Sequence, residues 1–287
     1  MNAIEKRLPT PLSIVRLCAA QERALAVRSR WTQIFTAVFT ALALAVAGSG
    51  YILSGGYGVQ DFSRATVSLV QLVLLLVPLS ALLLGVMALL PDRGNAELLY
   101  SQPVSRSAVL FGTMLGLFEA LVAAQGMGFG AAGLAIYSQA GEQGLGSFAA
   151  LVAMSAALTA VFLAIAALIC AGTFGQRRTR ALALAIVVWF AAVVLFDVVA
   201  IGIASLLRSG HASRLLIVAA LVNPVDALRT GTLLAIEGTA AFGASSLALL
   251  RFTGGAPAAA LLIVASTLLW ILVPAWLASR RLSRADI

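Results

Sequence analysis

Few side chains in this chain could do chemistry. Two carboxylates, Glu119 and Asp197, interrupt long apolar runs that otherwise carry no charge. A carboxylate inside an apolar run is costly, and it marks a substrate path, a proton relay or a hydrogen-bonded helix contact. Acid-pair catalysis would need the two to face each other. Counted along their helices, their depths differ by about 8 Å. The single histidine, His211, lies outside the apolar runs, so a histidine-dependent intramembrane protease is excluded. With one histidine and two cysteines, Cys18 and Cys170, no His/Cys cluster can supply the four ligands of a structural zinc. The two cysteines read as small apolar residues with no disulfide between them. Lys6 is the one lysine, so the Gly-x-x-x-x-Gly-Lys loop that cradles nucleotide phosphates is absent. Any ATP and Mg²⁺ must therefore be held by a partner, and the chain itself binds no cofactor. Gly128 to Gly133 spell Gly-x-Gly-x-x-Gly, but within an apolar run and after no strand, so a dinucleotide site is ruled out. Gly126 and Gly130, like Gly112 and Gly116, stand four apart and suit close helix packing.

The elements that must position these residues are membrane helices. The 287 residues are 61% apolar and 10% charged, against roughly 45–50% and about 25% in soluble domains. Mean hydropathy is +1.03. A soluble enzyme, a disordered chain and a disulfide scaffold are excluded. About 20 apolar residues cross a bilayer, and six runs suffice: 31–54, 66–90, 108–137, 147–174, 181–207 and 257–278. The expected fold is all-α and polytopic, with six spans. Residues 1–30 are expected to form an N-terminal amphipathic interface helix and 31–287 a six-helix transmembrane domain. The Ala45-Val46-Ala47 stretch imitates a signal-cleavage site, but the charged segment before it is too long for a signal peptide.

Charge sets the orientation. Of 19 basic residues, fourteen fall in the N-terminal segment, the second and fourth connections and the tail. Both termini are therefore expected in the cytoplasm, in an inner-membrane protein. The +8 net charge and pI near 10.7 follow from this asymmetry and imply no nucleic-acid partner. The fifth connection, about 208–256, has apolar runs that are too short or too polar to cross alone, so short helices at the outer leaflet are expected there. Within it, Asn223-Pro224-Val225-Asp226 reads as a turn and helix start, with proline presetting φ. It is also a candidate gate at the outer face. Asp197, about 24 Å along its span, lies within reach of this loop. Glu119, about 16 Å along its own, is expected near the midplane.

The N-terminal segment reads as an amphipathic helix capped at Ser13. Ile14, Leu17, Cys18, Ala24 and Leu25 share one face, and Arg16, Arg23 and Arg30 the other. Such a helix lies in the headgroup plane with its arginines on anionic lipid.

The second connection runs from Asp92 to Arg106. Gly94 breaks a helix, Asn95 to Tyr100 can form a short new one, Pro103 ends it, and Ser105 can cap the next span. A short cytoplasmic helix, about 94–102, suits docking into a partner's groove. The stretch resembles the loop between spans two and three of ABC-2-type permeases, which typically reads Gly-Thr-Leu-Glu-Leu-Leu and then Pro-x-Ser-Arg. Gly94, Glu97, Leu98, Leu99, Pro103, Ser105 and Arg106 match, while Asn95 and Ala96 depart. Asn223, Pro224 and Asp226 resemble the Asn-Pro-x-Asp stretch before the last span of NosY-like permeases, which serve nitrous-oxide-reductase maturation.

The resemblance implies a homodimer in membrane lipid, driven by a cytoplasmic ABC ATPase, in some members with a periplasmic accessory protein. It implies an ATPase-coupling role for Gly94, Glu97, Leu98, Leu99, Tyr100, Pro103 and Arg106. It further implies outward movement of a substrate, or work on a periplasmic partner, in copper-enzyme maturation. The alternatives are a secondary transporter or channel, and a non-transporting anchor. Inverted repeats, which would favour the former, are not evident.

Overall fold

The computed structural model describes residues 10–53, 60–90, 104–140, 145–172, 178–207, 209–237 and 253–284. Among them, every regular element is helical. They are α1 (Pro11–Arg28), α2 (Arg30–Leu53), α3 (Gln60–Leu89), α4 (Arg106–Ala140), α5 (Leu145–Gly172), α6 (Arg178–Phe190), a π-helical turn (Ala191–Leu195), α7 (Phe196–Leu206), α8 (Ser209–Val222), α9 (Pro224–Glu237) and α10 (Ala256–Arg284). Among the described residues six helices are long and apolar enough to cross a membrane: α2, α3, α4, α5, the α6–π–α7 unit and α10, hereafter spans 1 to 6. The six apolar runs read from the sequence fall on these six helices.

Three contacts show which helix ends lie together. Arg106 donates to the carbonyl of Leu282, and Arg178 to that of Met87. The Arg281 guanidinium lies against Gly172. The starts of spans 3 and 5 thus share one end of the bundle with the finishes of spans 2, 4 and 6. That end carries the arginines and is called the basic end below.

Lipid is as apolar as leucine, so spans associate through close packing and hydrogen bonds rather than by escaping water. Span 4 is the most enclosed and span 5 the least. Spans 2 and 4 close at Gly85, where a Cβ would come within 2.7 Å of the Ala166 methyl. Spans 1, 3 and 4 share an aromatic column. Phe39 meets Phe129 edge-on at 5.2 Å, and Phe129 meets Phe148 at 6.0 Å. Pro78 in span 2 has no N–H to offer the preceding turn. Trp189 of span 5 donates its indole N–H to Leu75 O in that turn, at 3.0 Å.

α1 begins earlier than expected. Thr10, not Ser13, is the cap. Its backbone is extended, and its Oγ1 accepts from Ser13 N at 3.3 Å. Pro11 occupies the first turn, where a fixed φ suits a helix and a missing N–H costs nothing. Ser13 instead donates its hydroxyl to Thr10 O. The helix ends at Ser29, which is extended, before span 1 starts.

α8 and α9 form a hairpin bent by 100°. Asn223 is its corner. The Asn223 side-chain oxygen accepts from Val225 N at 3.1 Å, capping α9, and Pro224 takes the first helical position. The turn and helix start expected for Asn-Pro-Val-Asp are present. The carbonyls at the end of α8 are satisfied by span 6: Ser266 donates to Leu221 O at 2.6 Å and Trp270 to Val222 O at 2.8 Å. A helix end without such partners would be costly in apolar surroundings.

Candidate functional site

The residues expected to carry function fall into three places.

The first is the basic end. Ser105 caps span 3 as expected: its Oγ accepts from Ala108 N at 3.1 Å. Arg106 reaches across to Leu282 O at 3.3 Å, so the start of span 3 is tied to the end of span 6. Gly94, Glu97, Leu98, Leu99, Tyr100 and Pro103 lie outside the described residues.

The second is the α1–α4 contact, which places Glu119. α1 runs alongside the first turns of span 3 rather than crossing it at one point. Ile14 packs with Ala108 and Val109, Cys18 and Val15 lie on Gly112, Ala19 lies on Gly116, and Arg23 reaches Glu119. A Cβ on Gly112 would come within 2.5 Å of the Cys18 Cβ, and one on Gly116 would fall on the Ala19 carbonyl. This pair of glycines packs as its spacing predicted. Among the described residues nothing lies within 4 Å of a Cβ built on Gly126 or Gly130. The expected apolar face of α1 is also divided: Ile14 and Cys18 pack inward, while Leu17 and Leu25 remain exposed. Burial pushes the Glu22 carboxyl and the Cys18 thiol above their ordinary ranges.

Glu119 pairs with Arg23, Nη1 to Oε2, at 2.7 Å. Sequence reasoning missed this base, because Arg23 lies 96 positions away on a segment expected to lie flat in the headgroups. The register of spans 1 and 3 gives the level of this pair. Phe39 of span 1 meets Gly128 and Phe129 of span 3. Counting back along both helices, about 1.5 Å per residue, brings Arg30, where span 1 starts, level with Glu119. Along span 3 the carboxylate lies about 20 Å from Arg106 at the basic end.

The third place is a charged cluster between span 5 and the hairpin. Arg229 Nη1 lies 3.0 Å from Asp197 Oδ2, and its Nη2 lies 2.9 Å from Asp226 Oδ1. Asn223 Nδ2 donates to Asp226 Oδ2 at 3.0 Å and to Ala192 O at 2.8 Å. The structure thus joins Asp197, Asn223 and Asp226, and adds Arg229, whose charge in the sequence was the available signal. Ala192 belongs to the π turn. There the Phe196 N–H bonds back to Ala191 O, five residues earlier. An α-turn would have given that donor to Ala192 O. The Asn223 amide supplies a replacement.

One further polar cluster escaped sequence reasoning. Gln125 in span 3 is buried, accepts from Ser155 Oγ at 2.6 Å and donates to Thr159 Oγ1 at 2.9 Å in span 4. A buried amide with partners on a neighbouring span is glue between helices. An amide at mid-span was the readable sign. Among the described residues no cluster of three His, Cys, Asp or Glu could hold a metal.

Fold and charge distribution define a multi-pass helical membrane protein with one strongly basic end and a bent helical hairpin before its last span. Residues 17–287 match the family described as ABC-2 family transporter protein, and the chain belongs to that family. It is 31% identical over 272 residues to a "Probable ABC transporter permease protein NosY" from Pseudomonas aeruginosa, covering 92% of this chain and 94% of the relative. A protein of the same name from Stutzerimonas stutzeri is 31% identical over 265 residues, covering 90% of this chain and 92% of that one. The chain is a permease subunit of the ABC type, and not itself an enzyme.

Proposed function

We propose that this chain works as a homodimer in the inner membrane, with its basic end in the cytoplasm. A partner ABC ATPase drives it by docking on the connection between spans 2 and 3. The single observation that carries this reading is the position of that connection. It leaves span 2 near Met87, which receives Arg178, and returns at Ser105 and Arg106, which is fixed to Leu282. A push on the connection therefore reaches spans 2, 3, 5 and 6 together. The positive-inside rule places that end in the cytoplasm, where ATP and Mg²⁺ are bound by the partner. Dimer halves then shift as rigid bodies, moving a substrate outward or working on a periplasmic partner. The resemblance of Asn223-Pro224-Val225-Asp226 to the stretch in NosY-like permeases supports a role in copper-enzyme maturation.

Two experiments test this. Affinity purification from native membranes in mild detergent, followed by mass spectrometry, should recover a stoichiometric ATPase chain; a monodisperse protein without one would refute the reading. Replacing Glu97, Leu98 and Leu99 with alanine in the purified complex should leave the spans folded but uncouple ATP hydrolysis from the permease. Retained coupling would refute the docking assignment.

A further inference from the structure

We propose that the π turn of span 5 and the charged corner of the α8–α9 hairpin form a single two-position device that sets the rotation of the outer half of span 5. The inference rests on the fold alone and does not require the transport reading.

Three observations carry it. The first is the π turn itself, Ala191–Leu195, which inserts the equivalent of an extra residue into an otherwise α-helical span. Single π turns in α-helices are unfavourable locally and persist where something outside the helix holds them. Re-forming an α-turn would rotate α7 by about one residue, roughly 100°, and carry Asp197 with it.

The second is what holds the turn. The carbonyl stripped of its α-helical donor, Ala192 O, receives the Asn223 amide at 2.8 Å. One turn further on, Asp197 receives Arg229 at 3.0 Å. Both donors come from the hairpin, which is also held together at this corner. Arg229 grips Asp226, and Asn223 bonds to Asp226 while capping α9. The hairpin thus holds span 5 through one amide and one guanidinium, and losing either contact removes a reason for the π geometry.

The third is room to move. On its other side α9 borders an open apolar groove of about 460 Å³, lined by Leu228 and Gly231 of α9, Met154 and Ala157 of span 4, and Ile263 and Thr267 of span 6. Packed cores switch between discrete arrangements instead of deforming smoothly. A hairpin clasped on one side, with an open groove on the other, has such a second arrangement available. In it, α9 moves into the groove, Asn223 leaves Ala192 O, and the π turn re-forms as α.

The test uses the full chain in lipid nanodiscs. Cys18 and Cys170 are replaced, and spin labels are placed at Gly146→Cys and Leu206→Cys. Unlabelled chain is mixed in excess so that only distances within one molecule are read. The parent should show one dominant distance. Asn223→Ala and Arg229→Gln should each raise the population at a second, shorter or longer distance by about tenfold, a typical conformational coupling. Deleting Ala192 removes the inserted residue and should place nearly all molecules at that second distance. A parent-like distribution in the folded, monodisperse Asn223→Ala and Arg229→Gln variants would overturn the proposal, leaving the cluster a static brace. So would a parent-like distance after deletion of Ala192.

Discussion

Gly116→Ala should lift α1 from span 3. The added methyl would fall on the Ala19 carbonyl, and its next neighbours are the backbone atoms C and Cα of Ala19 at 2.9 and 3.0 Å. Backbone cannot swing aside as a side-chain tip can, so the two helices must part. Overpacking of this kind costs about 1–3 kcal/mol, which is roughly a 5- to 150-fold shift between docked and undocked α1. Cys18 is the natural reporter, because it packs on Gly112 one turn away. With Cys170 replaced, its reaction with a thiol reagent should speed up by a factor in that range. Two effects add in the same direction. Undocking exposes the sulfur, and it removes the burial that raises the thiol pKa, so more thiolate is present at a given pH. Gly126→Ala is the control: nothing lies within 4 Å of that position, so its labelling rate should match the parent. If Gly116→Ala labels at the parent rate, the α1–α4 contact is not held by the close approach of these backbones. If Gly126→Ala labels as fast as Gly116→Ala, steric contact at Gly116 is not the cause.

Other outcomes follow from the same geometry. Glu119→Gln should change Cys18 labelling far less than Gly116→Ala, because an ion pair this exposed is worth at most about 1 kcal/mol; a larger effect would mean the pair, not the packing, docks α1. Burial raises the Glu22 carboxyl, so the docked state binds more protons than the undocked one. Docking should therefore weaken as pH rises from the ordinary carboxylate range through the raised one. The distance between spin labels on Leu17→Cys and Leu115→Cys should report this, and Glu22→Gln should abolish the trend. Gln125→Leu removes the acceptor of Ser155 Oγ and the donor to Thr159. It should cost about 0.6–1.7 kcal/mol in mixed-detergent unfolding, the range for hydrogen bonds between membrane helices; an unchanged midpoint would refute the glue role.

Much of this protein was legible in its sequence because the bilayer imposes a length. A helix must be apolar for about 20 residues to cross, and that requirement appears in composition without any knowledge of neighbours. So the six runs coincide with the six spans, Ser105 caps span 3, and Asn223-Pro224 turns the chain into a helix. Each of these rests on residues a few positions apart. Placement failed where it depended on partners distant in the chain. The apolar run of span 3 said nothing about what meets Glu119, because its partner Arg23 lies 96 positions away on α1. What packs on Gly112 and Gly116 is α1, a helix some 90 positions earlier in the chain. The π turn had no sequence signature either. Its Ala-Ala-Val-Val-Leu would read as an ordinary helix, and the amide and guanidinium that hold it open come from a hairpin 31 and 32 residues further on. Local chemistry and the thickness of the membrane settle where helices start, stop and cross. Which charge meets which, and at what depth, is settled by the folded bundle, since only packing brings those groups within a few ångströms.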